Sequence, residues 1–248
     1  MNTSDATRFP LRTHIRNIIH VVVHVSIGFI MLFSPLSAII IMSLCLVFML
    51  WQDITRLRSD KIKRKIEKES ADIVKPWELF RISAPTWSVV GMFVLIFFYY
   101  YMNIPIEIAA LALIILGIAD PAAGLCRSKF NYKHLPGNRL IGSIVFFIIS
   151  IIVLGAFSCW MKNFPKTHFP CEILIIAGIA ALTEFLSFKH IEDNVTVPLS
   201  VVIAFSIIWK VSIYNIHGIL AVSSGLIVFM FMINYLFYLH FSGKYKSS

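Results

Sequence analysis

The sequence predicts an all-α, polytopic integral membrane bundle of seven or eight transmembrane helices, with both termini on the cytoplasmic side. Three observations predict it. Hydrophobic residues fill 58% of the 248 positions and charged residues only 14%, and the mean hydropathy of +0.81 exceeds that of water-soluble globules. Apolar runs recur along the whole chain, and a spanning helix needs roughly 20 residues at about 1.5 Å each to cross a hydrocarbon core about 30 Å thick. Finally, the Lys and Arg residues between those runs divide very unequally between the two sides of the membrane.

In chain order the runs lie at about 18–34, 36–52, 87–103, 105–120, 140–159, 171–188, 195–213 and 217–239. The first two are short and separated by Pro35, which allows a tight hairpin or a kinked, partly re-entrant pair; hence seven or eight spans. Polar and basic residues before the first run, with no small-residue cleavage site after it, argue against a cleaved signal peptide. With eight spans one side receives Arg8, Arg12, Arg16, nine bases of the 53–86 loop, Arg127, Lys129, Lys133, Arg139, Lys189, Lys244 and Lys246. The other receives Lys162, Lys166 and Lys210. The net charge of +9 therefore reads as topology and contact with anionic lipids, not as a nucleic-acid footprint. The whole chain, 1–248, is read as one membrane domain carrying a basic cytoplasmic loop at 53–86. In that loop Ile62, Ile66 and Ile73 mark a weak apolar stripe, the sign of a surface helix, although a solvated linker fits most of its residues equally well.

Chemistry concentrates where acids meet the cytoplasmic helix ends. The segment from Asp120 to Ser143, DPAAGLCRSKFNYKHLPGNRLIGS, places a carboxylate at the end of a span, then Arg127, Lys129, Lys133 and Arg139, then a Gly-Ser pair at the next span. Glu184 lies within a later span, followed by Glu192, Asp193 and Asn194. On the derived topology both groups face the same side, where an oxygen-ligated Mg²⁺ would bridge carboxylates to a phosphate. An ionisable group at the centre of a span costs about 2.5–3.5 kcal/mol on insertion scales. Glu184 thus requires a partner such as Lys189, or a water-filled active site.

This order of elements resembles the CTP-dependent lipid-alcohol kinases, the group of dolichol, phytol and farnesol kinases, which is distantly similar to phosphatidate cytidylyltransferase. The matching residues are Asp120 and Ala123 of an Asp-x-x-Ala motif, Gly142-Ser143, Glu184, and Asp193, Asn194 and Pro198 of an Asp-Asn-x-x-x-Pro motif; Arg16, His20 and Glu78 fit the family's N-terminal half. The likeness runs from about residue 16 to 213, and DNVTVPL is its most specific piece. It departs from the family where glycines are usual, at Arg127 and Asn131, and where Lys-Ser-x-Glu-Gly-Ser is usual, at Asn138 to Ser143.

The resemblance implies transfer of the γ-phosphate of CTP to the hydroxyl of an isoprenoid or related lipid alcohol. CTP, the lipid alcohol and surrounding membrane lipids are the implied partners, and Mg²⁺ the implied cofactor. Asp120 and Asp193 would take the metal, with Asn194 as a supporting oxygen ligand. Arg127, Lys129, Lys133 and Arg139 would hold phosphates, aided by amides and the positive dipole end at Gly142-Ser143. Glu184 would be the general base, though its role and that of Asp120 are interchangeable. Alternatives are a cytidylyltransferase acting on a lipid phosphate, and a catalytically degenerate relative or a transporter. A bacterial inner membrane is the favoured location, with the endoplasmic reticulum as the alternative.

The remaining features read as structural. Cys45, Cys126, Cys159 and Cys171 lack zinc spacing; a disulfide between Cys159 and Cys171 is geometrically feasible, with free thiols the commoner outcome. His20 and His24, one turn apart, face a cavity or a metal on one reading and pack at the interface on the more ordinary one. Phe97 to Tyr101 form an interfacial aromatic belt.

Overall fold

The computed structural model describes residues 3–70, 79–129, 137–160, 169–186, 192–209 and 213–246, and among them the regular structure is helical without strands. The helices are α1 (Thr3–Phe33), α2 (Pro35–Arg58), α3 (Asp60–Ser70), α4 (Ala84–Met102), α5 (Ile106–Lys129), α6 (Gly137–Trp160), α7 (Phe169–Leu186), α8 (Asp193–Ile208) and α9 (Ile213–Lys246). Six are long and apolar enough to cross a bilayer: α1 over Ile15–Phe33, α2, α4, α5 over Ile106–Ser128, α6 over Arg139–Trp160 and α9 over Asn215–Phe241. The expected sixth and seventh spans fall on the apolar α7 and α8, 18 and 16 residues long, which are not among these six. The protein is a multi-pass α-helical membrane bundle.

Helix α5 is its axis. In its spanning window 72% of residues are buried, against 11% for α2, and every side chain from Ile108 to Leu116 lies in the core. A helix apolar on all sides must be surrounded, and α1, α4, α6 and α8 do surround it. Alanines at 109, 110 and 112 let those neighbours approach, as small residues do between helices in lipid. At Gly117 the approach leaves no room for a side chain: a Cβ there would lie 2.7 Å from the Cβ of His24 on α1. The outer faces of α2 and α9 carry exposed apolar residues such as Leu44, Val47, Phe229 and Leu236, the surface that a lipid-facing helix presents.

Local chemistry fixes the boundaries. Ser34 is the only residue between α1 and α2; its hydroxyl caps α2 by accepting the Ser37 amide at 3.4 Å, and Pro35 occupies the first turn, where no N–H is needed. The doubtful first pair is therefore two distinct helices. Asn103 ends α4 in the left-handed region (φ 52°), a conformation asparagine tolerates better than most residues. The loop expected over 53–86 begins later, because α2 continues to Arg58. The amphipathic α3 then follows, with Ile62 and Ile66 turned to the bundle; Ile73 and Glu78 lie outside the described residues.

One boundary corrects the sequence reading. The fourth span does not end at Asp120; α5 passes through Pro121 and runs nine residues further, to Lys129. Proline removes one backbone hydrogen bond, here the one that the Gly117 carbonyl would accept, but a helix gripped by neighbours survives that loss. The fifth span, expected at about 140–159, lies at Arg139–Trp160 within α6, which begins at Gly137.

Candidate functional site

Five acids of the spanning region, Asp53, Asp120, Glu184, Glu192 and Asp193, gather at one end of the bundle. That end collects the last turns of α2, α5 and α7 with the first turns of α4, α6 and α8. Alternation of helix direction brings them together, as the topology required.

The continuation of α5 sets the central contact. Asp120 and Arg127 are seven residues apart, about two turns, and so share a face. Side chains lean toward the helix N-terminus, and the Arg127 guanidinium reaches back to within 3.5 Å of the Asp120 carboxylate. Its other terminal nitrogen pairs with Glu184 on α7. The second Glu184 oxygen accepts the Ser143 hydroxyl of α6 at 2.5 Å. Glu184 is 3% exposed, so its charge is buried, and a buried carboxylate persists only when paired and hydrogen-bonded. Its partner is Arg127, 57 residues away, while Lys189 lies outside the described residues.

Gly142 makes this geometry possible. A Cβ at that position would lie 2.7 Å from Cδ and 2.8 Å from Cγ of Arg127, so the arginine stem runs across the bare face of α6. Gly142 and Ser143 stand in the second turn of α6, where backbone amides already bond within the helix. The expected role of these two residues as amide donors at a helix start is thus replaced by two others: passage for Arg127 and a hydroxyl for Glu184.

On the other side of Asp120 stands α1. His20 Nε2 is 3.8 Å from the second Asp120 oxygen, beyond hydrogen-bonding distance. The His20 ring stacks on His24 with centroids 4.0 Å apart. His24 Nδ1 lies 2.9 Å from the His20 carbonyl, so that nitrogen carries the proton, and Nε2 sits 2.7 Å from the Ser88 hydroxyl of α4. Asp193 and Asn194 open α8, and the Asp193 carboxylate accepts the Asn194 amide at 2.9 Å. Asn194 lines the same cavity as His20, which puts the start of α8 beside the cluster. The acidic first turn also suits the positive end of α8.

The structure thus brings Asp120, Arg127, Gly142, Ser143, Glu184, Asp193 and Asn194 together. Arg139 is exposed in the first turn of α6, and its carbonyl accepts the Ser143 hydroxyl at 3.2 Å. Lys133 and the Lys129 side chain lie outside the described residues. Among the described residues no three His, Cys, Asp or Glu side chains converge closely enough to hold a metal on their own. All four cysteines are free, Cys159 and Cys171 included.

A second polar network, which the sequence reading did not anticipate, braces the same end. Asp53 is buried on α2 and accepts from Arg56 at 2.7 Å, from the amide and hydroxyl of Ser83 at 3.0 and 3.1 Å, and from Thr86 at 2.7 Å. Arg56 also donates to the Arg81 carbonyl at 2.7 Å. Arg81 pairs with Glu192, the residue immediately before α8, at 2.5 Å. The i, i+3 pair Asp53/Arg56 at the end of an apolar run was the available signal. These residues fix the start of α8, and with it Asp193 and Asn194.

Between α1, α2, α3 and α4 lies a cavity of about 750 Å³. Its walls are mainly apolar, with Ile19, Val23, Met49, Val89 and Met92 among them, and His20, His24 and Asn194 line it where it meets the acidic cluster. No protein-family model, curated protein or solved structure matches this chain.

Proposed function

We propose that this protein is a membrane-embedded phosphotransferase that moves the γ-phosphate of CTP to the hydroxyl of an isoprenoid or related lipid alcohol. One observation carries the reading: three acids from three helices, with a guanidinium among them, converge beside a mostly apolar cavity inside a membrane bundle. Phosphoryl transfer asks for charge neutralisation around the transferred group and for alignment of an attacking oxygen. A lipid alcohol additionally asks for an apolar chamber that opens onto those charges. CTP as donor rests on the family resemblance of the motifs around Asp120 and Asp193.

The roles follow from which groups are already engaged. Glu184 has its two oxygens taken by Arg127 and Ser143, so it holds Arg127 in place instead of accepting a proton. Asp120 lies too far from Arg127 and His20 to be hydrogen-bonded to either, and it is the carboxylate open to take the hydroxyl proton. Arg127, 30% exposed, faces the phosphates, supported by Arg139, Lys129 and Lys133.

Mg²⁺ commonly binds one or two carboxylates and completes its shell with phosphates and water. Asp193, opposite Asp120, fits that pattern. When bound, the metal would offset charge on the phosphates. In the transfer, the lipid oxygen forms a bond to the γ-phosphorus, the bond to the β-phosphate oxygen breaks, CDP leaves, and Asp120 takes the hydroxyl proton.

The test uses purified protein in detergent with Mg²⁺, γ-labelled CTP and a panel of prenols and diacylglycerol. Label in the lipid supports the kinase. Pyrophosphate release without lipid labelling supports a cytidylyltransferase instead, and neither turnover nor CTP binding sinks both enzyme readings. Asp120→Asn and Asp193→Asn should each abolish transfer while the protein still folds; near-normal turnover in either removes that residue from the mechanism.

A further inference from the structure

We infer that the chamber between α1, α2, α3 and α4 is the seat of the lipid alcohol, with its hydroxyl held between His20 and Asn194 and its tail lying along Val89 and Met92. The inference rests on the kinase reading for its consequence, but the chamber itself is argued from geometry.

Both ends of the chamber are defined by residues on helices of known rise. From Ala84 to Met92 along α4 is eight residues, about 12 Å, and from Cys45 to Arg56 along α2 is eleven, about 16 Å. All four residues line the space. It is therefore elongated along the helices, and Val23, Cys45, Val89 and Met92 give it an apolar wall. Water gains little from such walls, whereas a hydrocarbon chain buries its surface against them.

Two polar groups on the wall select the headgroup. Asn194 Oδ1 and His20 Nε2 are both buried without a hydrogen-bond partner, and both residues line the chamber. A buried acceptor left unsatisfied is costly, so the occupant must bring a donor to Asn194. Carboxylate, ester and fully ionised phosphate headgroups have none. A hydroxyl has one, which it can give to Asn194 Oδ1 or to His20 Nε2. Because His20 is 3.8 Å from Asp120, rotation about the C–O bond turns the same O–H toward the carboxylate that would accept its proton.

A photoreactive prenol, with its reactive group in the tail, tests this on the native protein without nucleotide. Cross-links should map to Met49, Val89 and Met92, and a plain prenol should displace them. The methyl ether of that prenol keeps the tail and loses the donor, so it should compete on the order of tenfold less well, the effect of one unsatisfied buried acceptor. Cross-links spread over the lipid-facing sides of α6 and α9, or equal competition by alcohol and ether, would overturn the assignment. As a second arm, Val89→Trp shortens the chamber and should depress transfer to long prenols at least tenfold more than to short ones; an equal effect on both lengths would also overturn it. Phosphate transfer with the wrong cross-link map discards the chamber and keeps the kinase. The expected map without transfer does the reverse.

Discussion

Gly142→Ala places a methyl group where the stem of Arg127 now runs. The new Cβ would stand 2.7 and 2.8 Å from two carbons of that side chain, about 1 Å inside the favourable carbon–carbon separation of roughly 3.5–4.0 Å. The arginine must therefore move by about that much and release Glu184. Overpacking of this kind costs about 1–3 kcal/mol. Replacing glycine by alanine inside a helix returns about 0.8–1 kcal/mol, leaving a net loss of about 0–2 kcal/mol. For a chain of this size each kcal/mol shifts Tm by about 2–4 °C. The sign should reverse when Arg127 is absent: in an Arg127→Ala background the same Gly142→Ala change meets no obstacle, keeps its helix gain of about 1 kcal/mol, and should raise Tm by about 2–4 °C. Thermal unfolding of the four proteins in a mild detergent closes the double-mutant cycle, with an expected coupling of about 1–3 kcal/mol, within the usual range for contacting residues. Additive effects would refute the reasoning, because they would mean that Gly142 is there for some reason other than Arg127.

Other expectations concern the same end of the bundle. Asp53→Leu strands Arg56 in a buried site and should cost about 3–5 kcal/mol, whereas Asp53→Leu with Arg56→Met removes both charges and should recover most of it; thermal unfolding decides, and equal losses in both would contradict the pairing. Glu184→Gln keeps a partner for Ser143 but no longer balances Arg127, so turnover should fall about 10²–10³-fold, the cost of misplacing one preorganised electrostatic group. That loss should persist across pH, and recovery at high pH would restore Glu184 as the proton acceptor. Arg81→Met removes the guanidinium that pairs with Glu192 at the start of α8 and should raise the KM for CTP through Asp193 and Asn194; an unchanged KM would detach this brace from the site.

The bundle was legible because its signals are local: apolar runs of spanning length, Pro35 between two of them, and basic residues distributed by side. Asp120, Glu184 and Asp193 were legible for a related reason, since acids in an apolar chain are few and each needs an explanation. What the sequence hid depends on tertiary contact. Pro121 resembles a helix stop, and only the neighbours around α5 carry the helix on to Lys129, which turns Arg127 from a loop base into a partner of Asp120. The pairing of Arg127 with Glu184 spans 57 residues and three helices. Gly142 and Ser143 were noticed as a motif, but their use differs: one is a gap for a side chain, the other a donor to Glu184. Asp53 and Arg56 fell within a charged loop read as a surface helix or a solvated linker, because burial by α4 and the segment around Arg81 is invisible in composition. His20 and His24 were expected to pack ordinarily, yet both line the cavity.

The central claim is that the polar cluster transfers the terminal phosphate of CTP to a lipid hydroxyl. Parallel reactions with α-labelled and γ-labelled CTP, the same prenol and Mg²⁺ test it most directly. The account predicts that γ-label alone enters the lipid, in step with CDP formation, and that Asp120→Asn abolishes it. Entry of the α-label, or CTP consumption with no label in the lipid, would contradict it.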